Sequence, residues 1–424
     1  MNKILMICYY YPPVSDVGAL RSIAFSKNLP SFGYKPSVLT VSKADRGYCR
    51  VGVTLPPEGV KVYRTRSLFS PGSWVEVANA VYARLRRICK LPPSYGLYAF
   101  LLNIWLPDIF APWIPGAVLK GLHLEKEGFG TIYASCSPLS GAVVGAILKK
   151  RLGIPLILDF RDPMTNRIHG RPESPIDKLK QCVEERLLRF CDHLILVSRE
   201  TEERYLNTYP FLEGKVSVIY NGFDEAFLMQ EERSRSSNSR FTLLYSGNFY
   251  HNLVDPEPFF EALKRVLQSG ATRQESFLFR YVGAMNDWVR MLVKEKGLES
   301  VVEVTGFVDR GEVVKFLRDA DAVLLRNYKP CITTKLYEGL AMGKVFLATV
   351  GPGEVESMVR KYSPESVVVN PENTEAIAEG IRVLYSRWEN SEIRDKASQS
   401  YLKENNWQAL TGRLVDVLDR CSKG

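Results

Sequence analysis

The chain has 424 residues, of which 46% are hydrophobic and 24% are charged, a balance that excludes a largely disordered protein. Its length exceeds that of one ordinary domain and suits two domains of about 200 residues, each able to bury a core. The formal net charge of +9 favours anionic partners such as nucleotide phosphates, nucleic acid or an acidic membrane face, and charge alone does not choose among them.

Cysteine and histidine usage gives no sign of a metal or disulfide framework. The eight cysteines form no CxxC pair, and the chain has only four histidines and no HExxH sequence. We therefore expect reduced thiols, no metal and no cofactor in a cytoplasmic protein. The start MNKILMICYYYPP reaches Pro12 and Pro13 after a strand-length apolar run, which predicts a buried first strand rather than a signal peptide.

Short apolar runs alternate with helix-length amphipathic stretches along the first half of the chain. This alternation is typical of a parallel sheet covered by helices on both faces. The polar, low-complexity residues 229–240 then predict a linker. Strands are predicted before it at residues 3–10, 36–42, 61–66, 130–136, 155–160, 193–198 and 216–222.

The same pattern restarts after the linker. Strands are predicted there at residues 241–248, 277–284, 301–308, 322–327, 344–350 and 366–370. We therefore expect an α/β protein of two doubly wound, Rossmann-like domains, residues 1–228 and 241–402, that face each other across a ligand-binding cleft. A helix at 403–424 either closes the second domain or crosses back to the first.

An apolar, aromatic segment between Lys90 and Lys120 carries Asp108 as its only charge. Five prolines break it into pieces shorter than the roughly 20 residues of a membrane-spanning helix. The basic cluster RLRRICK, residues 84–90, precedes it, an arrangement typical of contact with an anionic membrane surface. A solvated helix face beside a core segment would explain the same residues.

Two strand ends in the first domain carry candidate site residues. After the first strand, YYYPPVSDVGALR places Gly18 and Arg21 at a helix start, where backbone amides and a guanidinium favour an anion. A tight turn with a solvated arginine is the alternative. LDFRDP, residues 158–163, gathers Asp159, Arg161 and Asp162 at another strand end, either as a structural charge network or as site residues.

The stretch CITTKLYEGLAMGKVFLAT, residues 331–349, puts charge at the start of a short, apolar helix pattern. Thr333 or Thr334 is a good N-cap, and Lys335 and Glu338 then share one helix face. A lysine at a helix start suits a diphosphate, and a carboxylate one turn later suits a pair of sugar hydroxyls. An ordinary surface ion pair between the two is the alternative.

Taken together, the motifs resemble those of the retaining GT-B glycosyltransferases of the group 1 class, also called glycosyltransferase family 4. The resemblance covers nearly the whole chain, and DFRDP is a variant of one branch of that family. The motifs occur in the family's order as YYYPPVSDVGALR with GYKPSVLTV, SPLSGAVVGAILKKRLGIPLILDFRDP, LVSRETEERY with VIYNGFD, YSGNFY, FRYVGA, GLESVVEVTGFVDRGEVVKFLRDADAVLL and TTKLYEGLAMGKVFLA.

The resemblance implies transfer of a sugar from a nucleoside-diphosphate sugar to an acceptor hydroxyl, with retention of configuration and without a metal. Polysaccharide, lipopolysaccharide or glycolipid biosynthesis is the implied setting, with a glycan, lipid-linked or small-molecule acceptor and no nucleic acid. The first domain would hold the acceptor and the second the donor. Contact with the inner face of the membrane would fit a lipid-linked acceptor. A sugar-nucleotide epimerase of the same fold and a non-catalytic nucleotide-sugar-binding protein are the alternatives.

The resemblance also implies roles for individual residues. Glu338 falls on the family's ribose-binding glutamate, and Lys335 on a basic position of the K-x-x-E form of its motif. The nucleobase would meet the backbone of Gly306, Phe307 and Val308. The remaining donor-binding positions are Gly18, Arg21, Gly247, Asn248, Arg326 and Thr334.

Three departures from the family pattern bear on catalysis. The family's glutamate eight positions before Glu338 is Pro330 here. The lysine usual after the glycine of YSGNFYHNLVDPEP is absent, which leaves Arg326, Lys335 or Arg21 to neutralise the leaving diphosphate. Arg161 stands where many members carry a histidine on the acceptor side. We therefore take Arg161, Asp162 and Lys335 as the catalytic candidates, with Asp162 orienting Arg161 or the acceptor hydroxyl.

Overall fold

The computed structural model describes residues 2–12, 17–42, 55–89, 105–165, 174–223, 240–249, 255–270, 272–326 and 332–422. Pro330, residues 90–104 and residues 229–239 of the predicted linker lie outside the described residues. Backbone contacts divide the chain into two units. The first unit comprises Met1–Tyr220 and Trp407–Gly424, and the second comprises Asn221–Asn406.

The first unit is built on a parallel sheet of seven strands in the order β3-β2-β1-β4-β5-β6-β7. Its strands are β1 (Asn2–Cys8), β2 (Tyr34–Val41), β3 (Lys61–Thr65), β4 (Thr131–Cys136), β5 (Leu156–Phe160), β6 (His193–Leu196) and β7 (Val216–Val218). Its helices are α1 (Val17–Asn28), α2 (Pro71–Cys89), α3 (Ile114–His123), α4 (Ser140–Leu152), α5 (Pro175–Phe190), α6 (Arg199–Thr208) and, at the end of the chain, α14 (Trp407–Ser422).

The second unit is built on six parallel strands in the order β10-β9-β8-β11-β12-β13. Its strands are β8 (Phe241–Ser246), β9 (Phe277–Val282), β10 (Val302–Gly306), β11 (Ala322–Arg326), β12 (Phe346–Thr349) and β13 (Val367–Val369). Its helices are α7 (Glu257–Gln268), α8 (Asp287–Glu295), α9 (Arg310–Asp319), α10 (Thr334–Ala341), α11 (Glu354–Tyr362), α12 (Thr374–Glu389) and α13 (Gln399–Asn405). Short 3₁₀ helices lie at Leu29–Phe32, Ala111–Trp113, Glu125–Glu127, Pro210–Leu212 and Gln274–Ser276.

Every predicted strand is present, and the predicted α/β class with two doubly wound sheets is confirmed. Strand β1 shows why its sequence is apolar throughout: Leu5 and Ile7 lie in one core cluster, whereas Ile4 and Met6 lie in the other. Successive side chains of a strand point to opposite faces, so a central strand needs apolar residues at every position.

The C-terminal helix α14 packs in the first unit rather than the second. Its Leu410, Leu414 and Leu418 are buried and share a core cluster with Phe25 of α1. Their spacing of four residues places them on one stripe of the helix, which needs an apolar partner. Of the two alternatives in the sequence, the return to the first unit is the observed one.

The described part of the aromatic segment is packed as core. Trp113 is fully buried, and its indole N–H donates to Thr65 Oγ1 over 2.8 Å. Asp108 accepts from the backbone N–H of Ser140 over 2.9 Å and from its hydroxyl over 2.6 Å, and burial raises the pKa of Asp108. The lone charge of the segment is therefore a half-buried acceptor at the start of α4, and no described helix is long and apolar enough to cross a membrane.

Candidate active site

In each sheet, strand order reverses between two adjacent strands, β1 and β4 in the first unit and β8 and β11 in the second. Such a reversal leaves the helices on its two sides on opposite faces of the sheet, which opens a crevice at the carboxyl ends of the strands. Ligands of doubly wound sheets bind there. The predicted site residues lie at the carboxyl ends of these and neighbouring strands, including β5 in the first unit and β10 in the second.

Three neighbouring strands of the second unit, β8, β9 and β10, end at glycines with left-handed backbone. The φ angles are 123° at Gly247, 152° at Gly283 and 75° at Gly306. The Gly247 N–H donates to Val282 O over 2.9 Å, and a Cβ atom on Gly283 would lie 2.6 Å from Gly247 O. The loops after β8 and β9 therefore lie side by side, and the backbone of Gly247 is exposed.

Helix α10 begins at Thr334, with Thr333 in the N-cap position, as predicted. The Thr333 hydroxyl makes no cap bond, and this buried oxygen has no hydrogen-bond partner in the described part of the chain. Thr334, the first helical residue, is half-buried. All later residues of the helix are buried. The first backbone N–H groups of a helix have no partner within it, and here they lie beside the Thr333 hydroxyl, which has none among the described residues.

Lys335 lies against the first of the glycine loops. Its Nζ is 3.8 Å from the centroid of the Tyr245 ring and 3.7 Å from the position of a Cβ atom on Gly247. The side chain is only 9% exposed, and no carboxylate of the described residues lies within ion-pair distance of it. Burial lowers the pKa of Lys335 from 10.5 to about 7. A buried cation that lies over an aromatic face, with no carboxylate partner in the described part of the chain, is suited to an anionic ligand.

Glu338 pairs with Arg310, a residue that the sequence did not single out. Arg310 Nη2 donates to Glu338 Oε1, and the two side chains are 35% and 7% exposed. Arg310 is the first residue of α9, whose N-cap Asp309 accepts from the Glu312 N–H over 3.0 Å. The surface ion pair between Lys335 and Glu338 considered from the sequence is therefore wrong, since both are buried and Glu338 has another partner.

The other predicted donor residues lie at the same sheet edge. Arg326 ends β11 and is buried, and burial lowers its pKa. Its Nη1 donates to Pro371 O over 2.9 Å, while its buried Nε has no hydrogen-bond partner among the described residues. Asn248 O accepts from the Tyr245 hydroxyl over 3.1 Å. Beyond Gly306, Phe307 is exposed and Val308 is half-buried.

In the first unit, Arg21 belongs to a buried charge network. Its Nε and Nη2 donate to the two carboxylate oxygens of Asp159 over 2.7 and 3.1 Å, and its Nη1 donates to Tyr220 O over 2.8 Å. The Tyr133 hydroxyl also donates to Asp159. The solvated-arginine alternative is wrong, because Arg21 is buried. This bidentate pairing favours a structural role, and donor binding by Arg21 stays a prediction.

Arg161 connects the first turn of α1 to the loop that follows β4. Its Nη1 donates to Gly18 O and its Nη2 to Ser137 O. A Cβ atom on Gly18 would lie 2.5 Å from Arg161 Nη1, so a larger residue at position 18 would displace the guanidinium. Asp162 is exposed and makes no ion pair with Arg161 within the described ranges. Two backbone carbonyls therefore orient the Arg161 guanidinium, and a role of Asp162 in orienting Arg161 or the acceptor hydroxyl stays a prediction.

Two residues of the site were missed by the sequence analysis. Gly283 had a usable signal, since it is the penultimate residue of the motif FRYVGA and directly follows strand β9. Arg310 follows the GFVD sequence directly, but its partner lies 28 residues further along the chain. No group of three or more His, Cys, Asp or Glu side chains that could hold a metal ion occurs in the described ranges; metal independence stays a prediction.

Comparisons with known proteins agree with this architecture. A family model for glycosyl transferases group 1 matches residues 229–407, and one for glycosyltransferase family 4 matches residues 101–227. The uncharacterized glycosyltransferase MJ1607 of Methanocaldococcus jannaschii is 25% identical over 440 aligned positions, covering 98% of this chain and 97% of that protein.

Two solved structures are similar over nearly their whole length. The crystal structure of Anabaena Alr3699/HepE in complex with UDP and glucose has a TM-score of 0.66 at 16% identity, covering 99% of this chain and 100% of that one. Sucrose-phosphate synthase of Thermosynechococcus elongatus has a TM-score of 0.67 at 16% identity, covering 99% of each. These likenesses confirm the predicted GT-B fold. The two family models together match residues 101–227 and 229–407, more than half of the chain, and they show that the chain belongs to the group 1 glycosyltransferases.

Proposed function

We propose that this glycosyltransferase moves a sugar from a nucleoside-diphosphate sugar to an acceptor hydroxyl with retention of anomeric configuration, and that the second unit binds the donor. The order of chemical groups along α10 carries the proposal. Lys335 and the Gly247 loop suit a diphosphate, Glu338 suits ribose hydroxyls, and the loop after Gly306 suits a base. A nucleoside diphosphate has its groups in this same order.

The spacing along the helix supports this assignment. Three residues of an α-helix rise by about 4.5 Å, which is comparable to the separation of a β-phosphate from the ribose of the same nucleotide. Lys335 and Glu338 point from one helix face toward the loops after β8 and β10. The structure of HepE is described as a complex with UDP and glucose, which makes UDP-glucose the first donor to test.

Retention requires the acceptor hydroxyl to approach the anomeric carbon on the face that the diphosphate leaves. The bond from the anomeric carbon to the diphosphate oxygen breaks, the acceptor oxygen bonds to that carbon, and the hydroxyl proton passes to the departing phosphate. Lys335 and the first N–H groups of α10 would stabilise the phosphate charge that develops, which is why we propose that no metal or cofactor is needed. On the acceptor side, Arg161 would hold the loops that receive the hydroxyl.

The donor assignment is tested by calorimetric titration with UDP, GDP, ADP and TDP. We expect one nucleotide to bind, and Glu338→Ala to weaken that binding about 10- to 100-fold, since a hydrogen bond to a charged group contributes about 1.5–3 kcal/mol. Glu312→Ala is the matched control, because Glu312 is exposed on the neighbouring helix α9.

Binding by Glu338→Ala as tight as that of the unchanged protein would show that Glu338 does not meet the ribose. A second experiment separates transfer from the alternatives: UDP-glucose is incubated alone and then with candidate acceptors. An epimerase would convert the sugar without an acceptor, a binding protein would leave it unchanged in both cases, and a transferase would release UDP quickly only with an acceptor.

We also propose that the acceptor is lipid-linked and belongs to polysaccharide or glycolipid assembly. The first unit would then contact the cytoplasmic face of a membrane. Helix α2 supports this, because only Pro71 and Ala78 of its residues are buried. Its surface combines apolar Val77, Val81 and Ile88 with basic residues at the C-terminal end. Apolar and basic groups on one exposed helix suit an anionic lipid surface.

Liposome co-sedimentation at low salt tests the membrane contact. We expect binding to phosphatidylglycerol vesicles but not to neutral phosphatidylcholine vesicles. The variant Arg84→Glu/Arg87→Glu should bind about tenfold more weakly or worse, since each basic residue near such a surface contributes about 1 kcal/mol. The control Lys150→Glu/Arg151→Glu makes the same charge change at the end of α4. An equal loss of vesicle binding in both double variants would contradict a specific role of α2 in membrane contact.

A further inference from the structure

We propose that Arg310 is a positioning residue that makes the donor site selective for ribose over 2′-deoxyribose. The inference rests on the proposed function, because it assumes that Glu338 faces the sugar of a nucleotide. Its starting point is the ion pair between Arg310 Nη2 and Glu338 Oε1, which joins the first residue of α9 to the middle of α10. In the chain, Arg310 follows the loop Gly306–Val308, which we assign to the base, after the single residue Asp309.

The pair fixes the direction of the Glu338 carboxylate. Glu338 is nearly buried, and Arg310 is its ion-pair partner within the described ranges. A buried carboxylate stays ionised and in place only when a cation or several donors hold it. With Oε1 held by the guanidinium, Oε2 is the oxygen that remains to accept a hydrogen bond from a ligand.

A carboxylate beside a guanidinium is complementary to a hydroxyl, which donates and accepts at the same oxygen. A carboxylate only accepts, and a guanidinium only donates. One ribose hydroxyl can therefore donate to Glu338 Oε2 while it accepts from Arg310, and its neighbour can use the same pair. A nucleotide that lacks the 2′-hydroxyl leaves part of this nearly buried charge unsatisfied, and sites of this kind reject such analogues strongly.

Arg310 differs from Glu338 in what its loss should do. Without Glu338, the ribose loses its acceptor and binding itself weakens. Without Arg310, the carboxylate can rotate and present both oxygens to whichever hydroxyl is left, so discrimination should fall more than affinity. A cation that merely neutralised Glu338 would change the affinity for both nucleotides by the same factor.

The experiment compares calorimetric affinities for UDP and 2′-deoxy-UDP, and for GDP and 2′-deoxy-GDP. For the ribonucleotide that binds, we expect the unchanged protein to prefer it over its deoxy analogue by about 30-fold or more. In Arg310→Met, which keeps the length of the apolar stem, the preference should fall below about fivefold. Arg310→Lys, which keeps the charge but not the planar fork, should lie between the two. Lys315→Met, at an exposed position of the same helix, should keep the full preference.

The possible outcomes separate this inference from the donor assignment. If Arg310→Met weakens both members of a pair equally and the preference persists, Arg310 only neutralises charge and the inference is wrong while the donor site stands. Tighter binding of TDP, which lacks the 2′-hydroxyl, than of any ribonucleotide would also overturn the inference alone. If none of these nucleotides binds the unchanged protein, the proposed donor site itself is wrong. The proposed selectivity for ribose is then wrong as well.

Discussion

Replacing Lys335 with methionine should weaken the binding of UDP-glucose about 10- to 100-fold and lower the rate of sugar transfer by at least as much. The side chain is buried, it lies over the Tyr245 ring, and its Nζ is next to the Gly247 loop, so it is the cation best placed for the diphosphate. A charge-assisted hydrogen bond is worth about 1.5–3 kcal/mol, and it should strengthen as the leaving diphosphate gains charge. Methionine keeps the volume and removes only the charge.

The same residue should make donor binding depend on pH in a range where ordinary lysines do not titrate. Burial lowers the Lys335 pKa to about 7, and only the protonated form attracts a diphosphate. Affinity should therefore be full below that pH and fall about tenfold between pH 6 and pH 8 as the ammonium loses its proton. UDP-glucose suits this measurement because its diphosphate diester stays ionised throughout, so any change comes from the protein.

Two variants provide controls for the Lys335 predictions. Lys335→Arg keeps a charge that does not titrate, so it should bind UDP-glucose with little dependence on pH. Lys294→Met removes an exposed lysine of α8 and should match the unchanged protein. Titrations in buffers of different ionisation enthalpy should also detect uptake of part of a proton on binding near pH 8. A flat pH profile in the unchanged protein, together with full binding by Lys335→Met, would remove Lys335 from the diphosphate site.

Replacing Asp159 with alanine should lower the stability of the first unit by about 3–5 kcal/mol. Asp159 and Arg21 are fully buried and joined by two hydrogen bonds, and Asp159 also accepts from Tyr133. Removing the carboxylate leaves a buried guanidinium without its counter-charge, which is among the largest costs of a single substitution. Amide hydrogen exchange in β1, β4 and β5 measures this loss in the first unit separately from the second.

The double variant Asp159→Ala/Arg21→Met shows whether the cost comes from the uncompensated charge. It should recover more than half of the lost stability, because both charges are then gone from the interior. Glu185→Ala breaks the exposed pair of Arg189 and Glu185 in the same unit and should cost less than about 1 kcal/mol. If Asp159→Ala lowers the stability as little as Glu185→Ala does, the charge network does not stabilise the sheet. Arg21 would then again be a candidate for binding the donor.

Much of the fold was predictable because its signals are local. Strand β1 and its counterparts show an apolar run of strand length, and α14 shows a stripe with helical spacing, so element type depends on residues that are close in the chain. The strands predicted to end at 248 and 284 end instead at Ser246 and Val282, because the glycines that follow adopt left-handed backbone and leave the sheet. The helix start at Thr334 was equally readable, since the preference of threonine for the N-cap position is also local, although the Thr333 hydroxyl makes no cap bond.

The partners of the charged side chains were not predictable in the same way. The sequence predicted that Arg21 belongs to an anion site, yet its guanidinium pairs with Asp159, which lies 138 residues away in the chain. The sequence also allowed an ion pair between Glu338 and Lys335, yet the ion-pair partner of Glu338 is Arg310. The sequence by itself determined which segments form strands and helices, and which strand ends carry polar groups. Only the tertiary structure decided which of those groups meet, because strand order and burial bring distant residues together and decide which charges must be neutralised inside the protein.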